Sequence, residues 1–474
     1  MSNHLSRWQH QRDAREQARG KDCYGLLFEQ GCGKSATQID ILSDVYVQHG
    51  QLSTLILCPP IVVENWKREF ARFAPDIEQS SIVCLKGSSH QRICDFERYV
   101  EPSRHNRIVV TNYEALLTGL WDKKLQHWKP KVVVLDESHK CKDASAKRTK
   151  KVLELSKTAQ FRYILSGTPV VNGLGDIFAQ FLFLDKGETL GKDFWEFRRT
   201  YFVDRNANRP RQSYFPDWVP KPEAAKEINK LILKKAMRVK KSDALDLPPL
   251  IRQIVDIELE GTQRKAYDRM EFSGVAEIGG KISSADLSIK RALKLQQIAS
   301  GYLPMDDGTI VEFDNPRITA LSELLDSIGP NHKIIIWAVF KENYKAIGRL
   351  LASKKIAYCE VHGSVSGPNK QHAIDSFEKA DSGPRVLIGH PRSVGIGVNL
   401  TAADYAIFYT RDFSLENDLQ AEARNHRGGS ERHEKITRID IVAKNTLDEV
   451  VLIALQEKQN VSEVVLKYVK GQRT

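Results

Sequence analysis

No apolar run in this 474-residue chain approaches the ~20 residues that a helix needs to cross a bilayer. The first residues, MSNHLSRWQHQ, lack the apolar stretch of a secretory leader. The expectation is a cytoplasmic protein with no membrane partner. Cysteine is scarce: Cys23, Cys32, Cys58, Cys84, Cys94, Cys141 and Cys359, seven in all, with no CxxC pair. An odd, scattered set argues against a disulfide framework and a zinc ribbon, and suits a reducing compartment. Short-period repeats and low-complexity tracts are absent too. Acidic residues are the minority charge, 60 against 71 Lys and Arg, which leaves a formal net charge of +11. A basic balance suits a polyanion, nucleic acid first, although scattered lysines that only maintain solubility would give the same sum.

What is present is a rhythm of short apolar runs with helical stretches between them. YGLLF (24–28), STLILC (53–58), RIVVT (107–111), VVVL (132–135) and RYILS (162–166) fill the first half. KIIIWAVF (333–340), IAYCEV (356–361), RVLIGH (385–390), YAIFY (405–409) and RIDIVA (438–443) fill the second. Runs of this length bounded by turns predict parallel strands buried on both faces. The fold class is α/β, with two sheet domains. The expected boundaries are 1–185 for the first, 186–245 for a helical protrusion and basic linker, and 246–310 for a helical part of the second. The second sheet domain proper spans 311–445, and a C-terminal packing helix 446–474, with Asn445 or Thr446 as its cap. INKLILKKAMRVKK (228–241) reads as a basic helix. The aromatic segment 194–202 reads as buried core in preference to an exposed wedge or stacking surface.

FEQGCGKS (28–35) follows a strand and opens a helix. Gly31 and Gly33 permit a tight loop whose N–H groups face phosphate oxygens. Lys34 would reach the β- and γ-phosphates of ATP, and Ser35 would hold Mg²⁺. Phe28 stands where the full phosphate-loop pattern has glycine, and a glycine-rich strand-to-helix turn would look similar. VVVLDESH (132–139) narrows the choice, because it places two acids at the C-terminal end of a buried strand, where α/β sheets bind ligands. Asp136 suits Mg²⁺, and Glu137 suits polarising the attacking water. Taken alone, the same run could be a solvated acidic strand end. Gln9, beside Trp8, carries an amide that can pair with an adenine edge.

Together these blocks resemble helicase superfamily two, and within it the Swi/Snf-type DNA translocases. LxxWQ (5–9), GCGKS (31–35), CPPIVVENWKREF (58–70), VVTNYEAL (109–116), DESH (136–139) and LSGTPVVNGLGDI (165–177) follow the family's order. So do LDLPP (245–249), HPRSVGIGVNLTAAD (390–404) and QAEARNHRGG (420–429). The HP…GxGxNL wording is similar to the compact bacteriophage members. Two departures stand out: Ala423 where the family usually has Asp, and Ser430 where it has Gln. His390 and Val394 replace the usual Ser and Gly of nuclear members.

The resemblance implies two tandem RecA-like domains, ATP hydrolysis with Mg²⁺, and DNA as the partner of a monomeric motor. Arg424 and Arg427, spaced i, i+3 on an expected helix with Gln420 a turn earlier, would act as arginine fingers on the γ-phosphate. DNA contacts carried over are Pro59, Asn65, Trp66, Thr111, Asn172, Ser393, Gly397 and Asn399, all suited to backbone rather than base contacts. The leading reading is a translocase on duplex or branched DNA, independent of sequence. A strand-separating helicase and a catalytically inactive DNA-binding scaffold are the alternatives.

Overall fold

Buried on both faces, a strand needs apolar side chains at both parities, and the continuous runs meet that need. In the computed structural model they form β1 (Cys23–Phe28), β2 (Thr54–Cys58), β3 (Ile82–Cys84), β4 (Ile108–Asn112), β5 (Val132–Asp136) and β6 (Phe161–Leu165). A hairpin, β7 (Phe202–Asp204) with β8 (Trp218–Pro220), and a short strand β9 (Ala236–Val239) follow. The structure describes residues 7–103, 106–167, 169–170, 173–207, 216–244, 247–285, 287–379, 383–394, 398–457 and 461–469. Asn172 and Gly397 lie outside them. The chain divides into two units, Met1–Leu245 and Asp246–Thr474.

The first unit is a seven-stranded parallel sheet of order β3-β4-β2-β5-β6-β1-β9. Helices α1 (Gln9–Ala18), α2 (Lys34–His49) and α3 (Val63–Phe73) connect and cover its strands. The expected basic helix at 228–241 is corrected. The helix Ala224–Ile232 ends, and Ala236–Val239 returns as the edge strand beside β1. Residues 186–245 are therefore not only a protrusion, because they complete the sheet. In the aromatic segment Phe197 is buried against Phe178 and Tyr201, as a core should be, while Trp195 is 58% exposed with Arg198 stacked over it.

The second unit carries β10 (Leu250–Ile257), the hairpins β11 (Val275–Ile278)/β12 (Lys281–Ser284) and β13 (Tyr302–Pro304)/β14 (Ile310–Glu312), then β15 (Ile334–Trp337), β16 (Tyr358–Val361), β17 (Val386–Gly389), β18 (Tyr405–Phe408) and β19 (Ile436–Ala443). Its six-stranded sheet, β10-β19-β18-β15-β17-β16, is parallel throughout. The stretch 246–310 is thus not purely helical. β10 belongs to the sheet because pairing with β19 supplies its backbone hydrogen bonds, although much of its length is exposed. The tail is two helices, Leu447–Gln456 and Val461–Val469, whose Val451, Leu455 and Val465 join the core of Ile336, Ile407 and Ile441. Thr446 caps the first by accepting from the Asp448 N–H at 3.1 Å. Among the described residues no helix is long and apolar enough to cross a membrane. All seven cysteines are free.

Candidate nucleotide site

β1 ends at Phe28, and five residues turn the chain into α2. Gly31 and Gly33 take φ of 90° and 76°, in the left-handed region. A Cβ on Gly33 would stand 2.2 Å from Gln11 Nε2, so conformation and space both require glycine there. The first N–H groups of the sixteen-residue α2 have no intrahelical acceptor, and the helix dipole adds positive character at that end. Such an end attracts phosphate. Lys34 opens the helix, 9% exposed, and its Nζ donates to the Phe28 carbonyl at 3.1 Å. Ser35 follows, half-buried.

α1 braces this loop. His10 Nε2 lies 2.9 Å from the Cys32 carbonyl oxygen. Gln11 donates from Nε2 to the Gly33 carbonyl at 3.1 Å and accepts from the Trp8 N–H at 2.9 Å. Arg7 and Arg15 form two-point ion pairs with Asp40 and Asp44 of α2. Gln9 is exposed instead, and pairs with Asp13 and Arg12 of its own helix at 2.7 and 2.6 Å. Gln11, not Gln9, is the glutamine that touches the phosphate loop. The sequence signal was the inward face of α1, which runs through residues 10, 11, 14 and 18.

The acids lie at the end of β5, separated from β1 by β6. Asp136 is 5% exposed and Glu137 1%. Asp136 Oδ2 accepts from the Trp66 indole N–H at 3.0 Å, and its backbone carbonyl accepts from the Tyr113 hydroxyl at 2.8 Å. Burial raises the Asp136 carboxyl well above its usual range, and the charge of Glu137 raises it further. Lys34 and the Trp66 hydrogen bond pull the other way. Glu137 has φ 54° and ψ 54°, a costly conformation for a non-glycine residue and one that recurs at functional sites. Its Oε1 accepts from Gln30 Nε2 at 3.0 Å. Its Oε2 is buried without a hydrogen bond, 3.4 Å from His139 Nδ1. That nitrogen also lies 3.2 Å from Ser166 Oγ at the end of β6. Two buried acids beside one buried lysine, with Glu137 Oε2 accepting no hydrogen bond, offer oxygen chemistry that suits a hard divalent cation.

Three of the expected DNA contacts have buried side chains. Trp66 is 1% exposed and spends its only donor on Asp136. Thr111 is fully buried and donates to the Leu85 carbonyl. Pro59 is buried as well. Pro59 directly follows β2, Trp66 lies in α3 and Thr111 in β4, and each side chain is turned inward. Asn65 and Ser393 are half-buried, and Asn399 is exposed.

In the second unit the helix Leu415–Glu422 stops short of both arginines. The expected single helix face is therefore corrected. The Leu400 N–H donates to the Arg424 carbonyl, and Asn425 Nδ2 donates to the Ala403 carbonyl, so tertiary bonds replace the next helical turn. The turn still gathers the two side chains: Arg424 and Arg427 each donate through Nη1 to the Val398 carbonyl, at 3.4 and 3.2 Å. Gln420, 4% exposed, donates to Glu416 at 3.0 Å. Beneath them Arg438 binds Asp418, Glu422 and Asp440 at 2.9–3.1 Å and fixes the helix on β19. Ala423 packs in the core, and Ser430 is fully buried with its hydroxyl unpartnered.

The SNF2-related domain model matches residues 6–302, and the Helicase conserved C-terminal domain model matches residues 316–429. Among curated relatives, the Danio rerio chromodomain-helicase-DNA-binding protein 1-like is 25% identical over 453 residues, covering 93% of this chain and 41% of the relative. The CHD3-type chromatin-remodeling factor CHR7 of Arabidopsis thaliana is 27% identical over 463 residues, covering 93% and 35%. Human chromodomain-helicase-DNA-binding protein 9 is 26% identical over 490 residues, covering 95% and 16%. The chain spans 41% or less of these relatives. A solved Sulfolobus solfataricus SWI2/SNF2 ATPase core in complex with dsDNA is 21% identical, covers 99% of this chain and 94% of its own, and gives a TM-score of 0.44.

Proposed function

Because this chain belongs to the SNF2-related family of superfamily-two, helicase-like ATPases, we propose that it is a motor that moves along duplex or branched DNA without reading its sequence. The observation that carries the reading is the site itself. Lys34 heads α2, and two buried acids stand two strands away at the end of β5. Nucleotide phosphates fit the α2 terminus, with Lys34 as their cation. Mg²⁺ fits Ser35 and Asp136, and when bound it would neutralise charge on the phosphates. Glu137 then accepts the proton of the attacking water through Oε2, the oxygen that accepts no hydrogen bond. Trp66 holds Asp136 in place. Gln9 remains proposed for adenine, with Gln11 bracing the loop.

Charge grows on the γ-phosphoryl oxygens in the transition state, and arginine there contributes roughly 10³–10⁵ in rate. Arg424 and Arg427 carry that role in this proposal, with Gln420 beside them. DNA as partner draws on the net charge of +11 and on relatives whose names include helicase-DNA-binding. Asn65, Ser393 and Asn399 are the described residues proposed to meet its backbone, and Asn172 and Gly397 keep that role as sequence-based expectations.

One set of measurements separates the readings: ATPase rate without nucleic acid and with duplex DNA, single-stranded DNA or RNA, alongside strand displacement. Stimulation by duplex without displacement supports the translocase. Displacement favours an unwinding helicase, and no turnover under any condition favours a scaffold. Lys34→Ala and Glu137→Gln should lose turnover and keep DNA affinity within about threefold, because neither touches the proposed DNA contacts. Turnover at the wild-type rate in either purified variant would remove this site.

A further inference from the structure

The phosphate loop follows β1 and Glu137 follows β5, with β6 between them. One side chain bridges that gap. Gln30 Nε2 donates to Glu137 Oε1 at 3.0 Å. Its path runs over Gly167, the second residue after β6, where an added methyl would stand 3.1 Å from Gln30 Nε2, 3.3 Å from its Cγ and 3.3 Å from its backbone nitrogen. The glycine leaves the space through which the amide reaches.

We propose that Gln30 is a positioning residue for ATP hydrolysis: it fixes the Glu137 carboxylate by holding Oε1, so that Oε2 alone faces the attacking water. This rests on the reading of Glu137 as the proton acceptor. The geometry carries it in three ways. Glu137 has left-handed backbone angles, which aim its side chain away from the direction an ordinary strand end would give. The carboxylate is 1% exposed, so its orientation is set by neighbouring side chains and not by bulk solvent. Its two oxygens are unequal: Gln30 donates to Oε1, whereas Oε2 accepts no hydrogen bond and lies 3.4 Å from His139 Nδ1. A carboxylate held at one oxygen keeps its other lone pairs in a fixed direction, and catalysis by proton acceptance depends on that direction. The Gln30 amide is committed to the proposed acceptor, so its loss is expected to act on the chemical step and leave nucleotide binding intact. In this assignment Gly167 serves the same end by staying small.

Gln30→Met keeps the length and volume of the side chain and removes the donor. Loss of a hydrogen bond to a charged group predicts a fall in kcat of about tenfold. KM for ATP and equilibrium ATP affinity should stay within about twofold. Gly167→Ala pushes the amide off its path and should lower kcat similarly. The double variant should be no worse than either single one, because both changes act through one contact. If Gln30→Met does not fold, Gly167→Ala carries the test by the same kcat-against-KM split. An unchanged kcat overturns the proposal, as does a loss of ATP affinity that matches the loss in kcat, or strict additivity of the two changes. Glu137→Gln, measured alongside, tells the two failures apart. Turnover retained there ends the reading of Glu137 and this proposal with it. Turnover abolished there, with wild-type kcat in Gln30→Met, overturns the role of Gln30 alone.

Discussion

His390 follows β17 and accepts the Arg392 N–H on Nδ1 at 3.0 Å, a bond that requires an unprotonated nitrogen. Burial pushes its pKa down to about 4, and Arg392, His362 and Lys370 push in the same direction. A histidine whose folded value lies below its unfolded one contributes stability in full above about 6.5, the unfolded value. That contribution is lost as pH falls toward 4, because the unfolded chain takes up the proton first. His390→Ser, which removes the titrating ring and keeps a small polar side chain, should therefore flatten the acid limb. Between pH 6.5 and 4.5 its Tm should fall by roughly 2–5 °C less than that of the wild type. Parallel melting curves across that range would remove His390 from the acid response. At this scale the sequence displayed residue types and hid their partners. Trp66 was legible as part of a block, yet its indole turns inward to Asp136, a contact between residues far apart in the chain. Gln9 and Gln11 differ by two positions, and only the start of α1 decided which one faces the loop.

β9 shows what an element needs beyond its own sequence. AMRV lies within a basic, helix-like stretch, and only Ala236 and Val239 are buried. Its strand conformation comes from β1, whose Gly25 N–H donates to the Lys235 carbonyl and whose chain continues with Glu29 N–H donating to the Val239 carbonyl, both at 2.9 Å. Long apolar runs such as VVVL need no such help, since burial on both faces dictates them. The same logic hid β10 and exposed β19, its partner. Gly25 records the closeness of β9: a Cβ there would meet Ala236 Cβ at 2.9 Å and Ile164 Cγ1 at 3.2 Å. Gly25→Ala should destabilise the protein by about 1–3 kcal/mol through overpacking. Ala236→Gly in the same chain should restore more than half of that loss, because it removes the nearer contact. Denaturant unfolding of the single and double variants gives the answer, and no recovery in the double variant would place the strain elsewhere.

For the whole molecule, the repeated strand rhythm made two parallel sheets legible, and the order of strands within each was not, because it depends on crossovers that no local pattern records. Lys34 and Glu137 belong to the first unit and Arg427 to the second. The helix expected for Arg427 is absent, but Arg424 and Arg427 still converge on the Val398 carbonyl, so the loss of regular helix does not separate them. In this proposal nucleotide binding rests mainly on the α2 terminus and Lys34, whereas charge on the γ-phosphoryl group reaches its maximum only in the transition state. Removing an arginine finger should therefore cost rate far more than affinity. Arg427→Ala should lower single-turnover ATP hydrolysis by about 10³-fold. Its affinity for a non-hydrolysable ATP analogue, measured by titration, should change by less than about fivefold. If affinity and rate fell by the same factor, Arg427 would be a ground-state phosphate ligand and not a transition-state one.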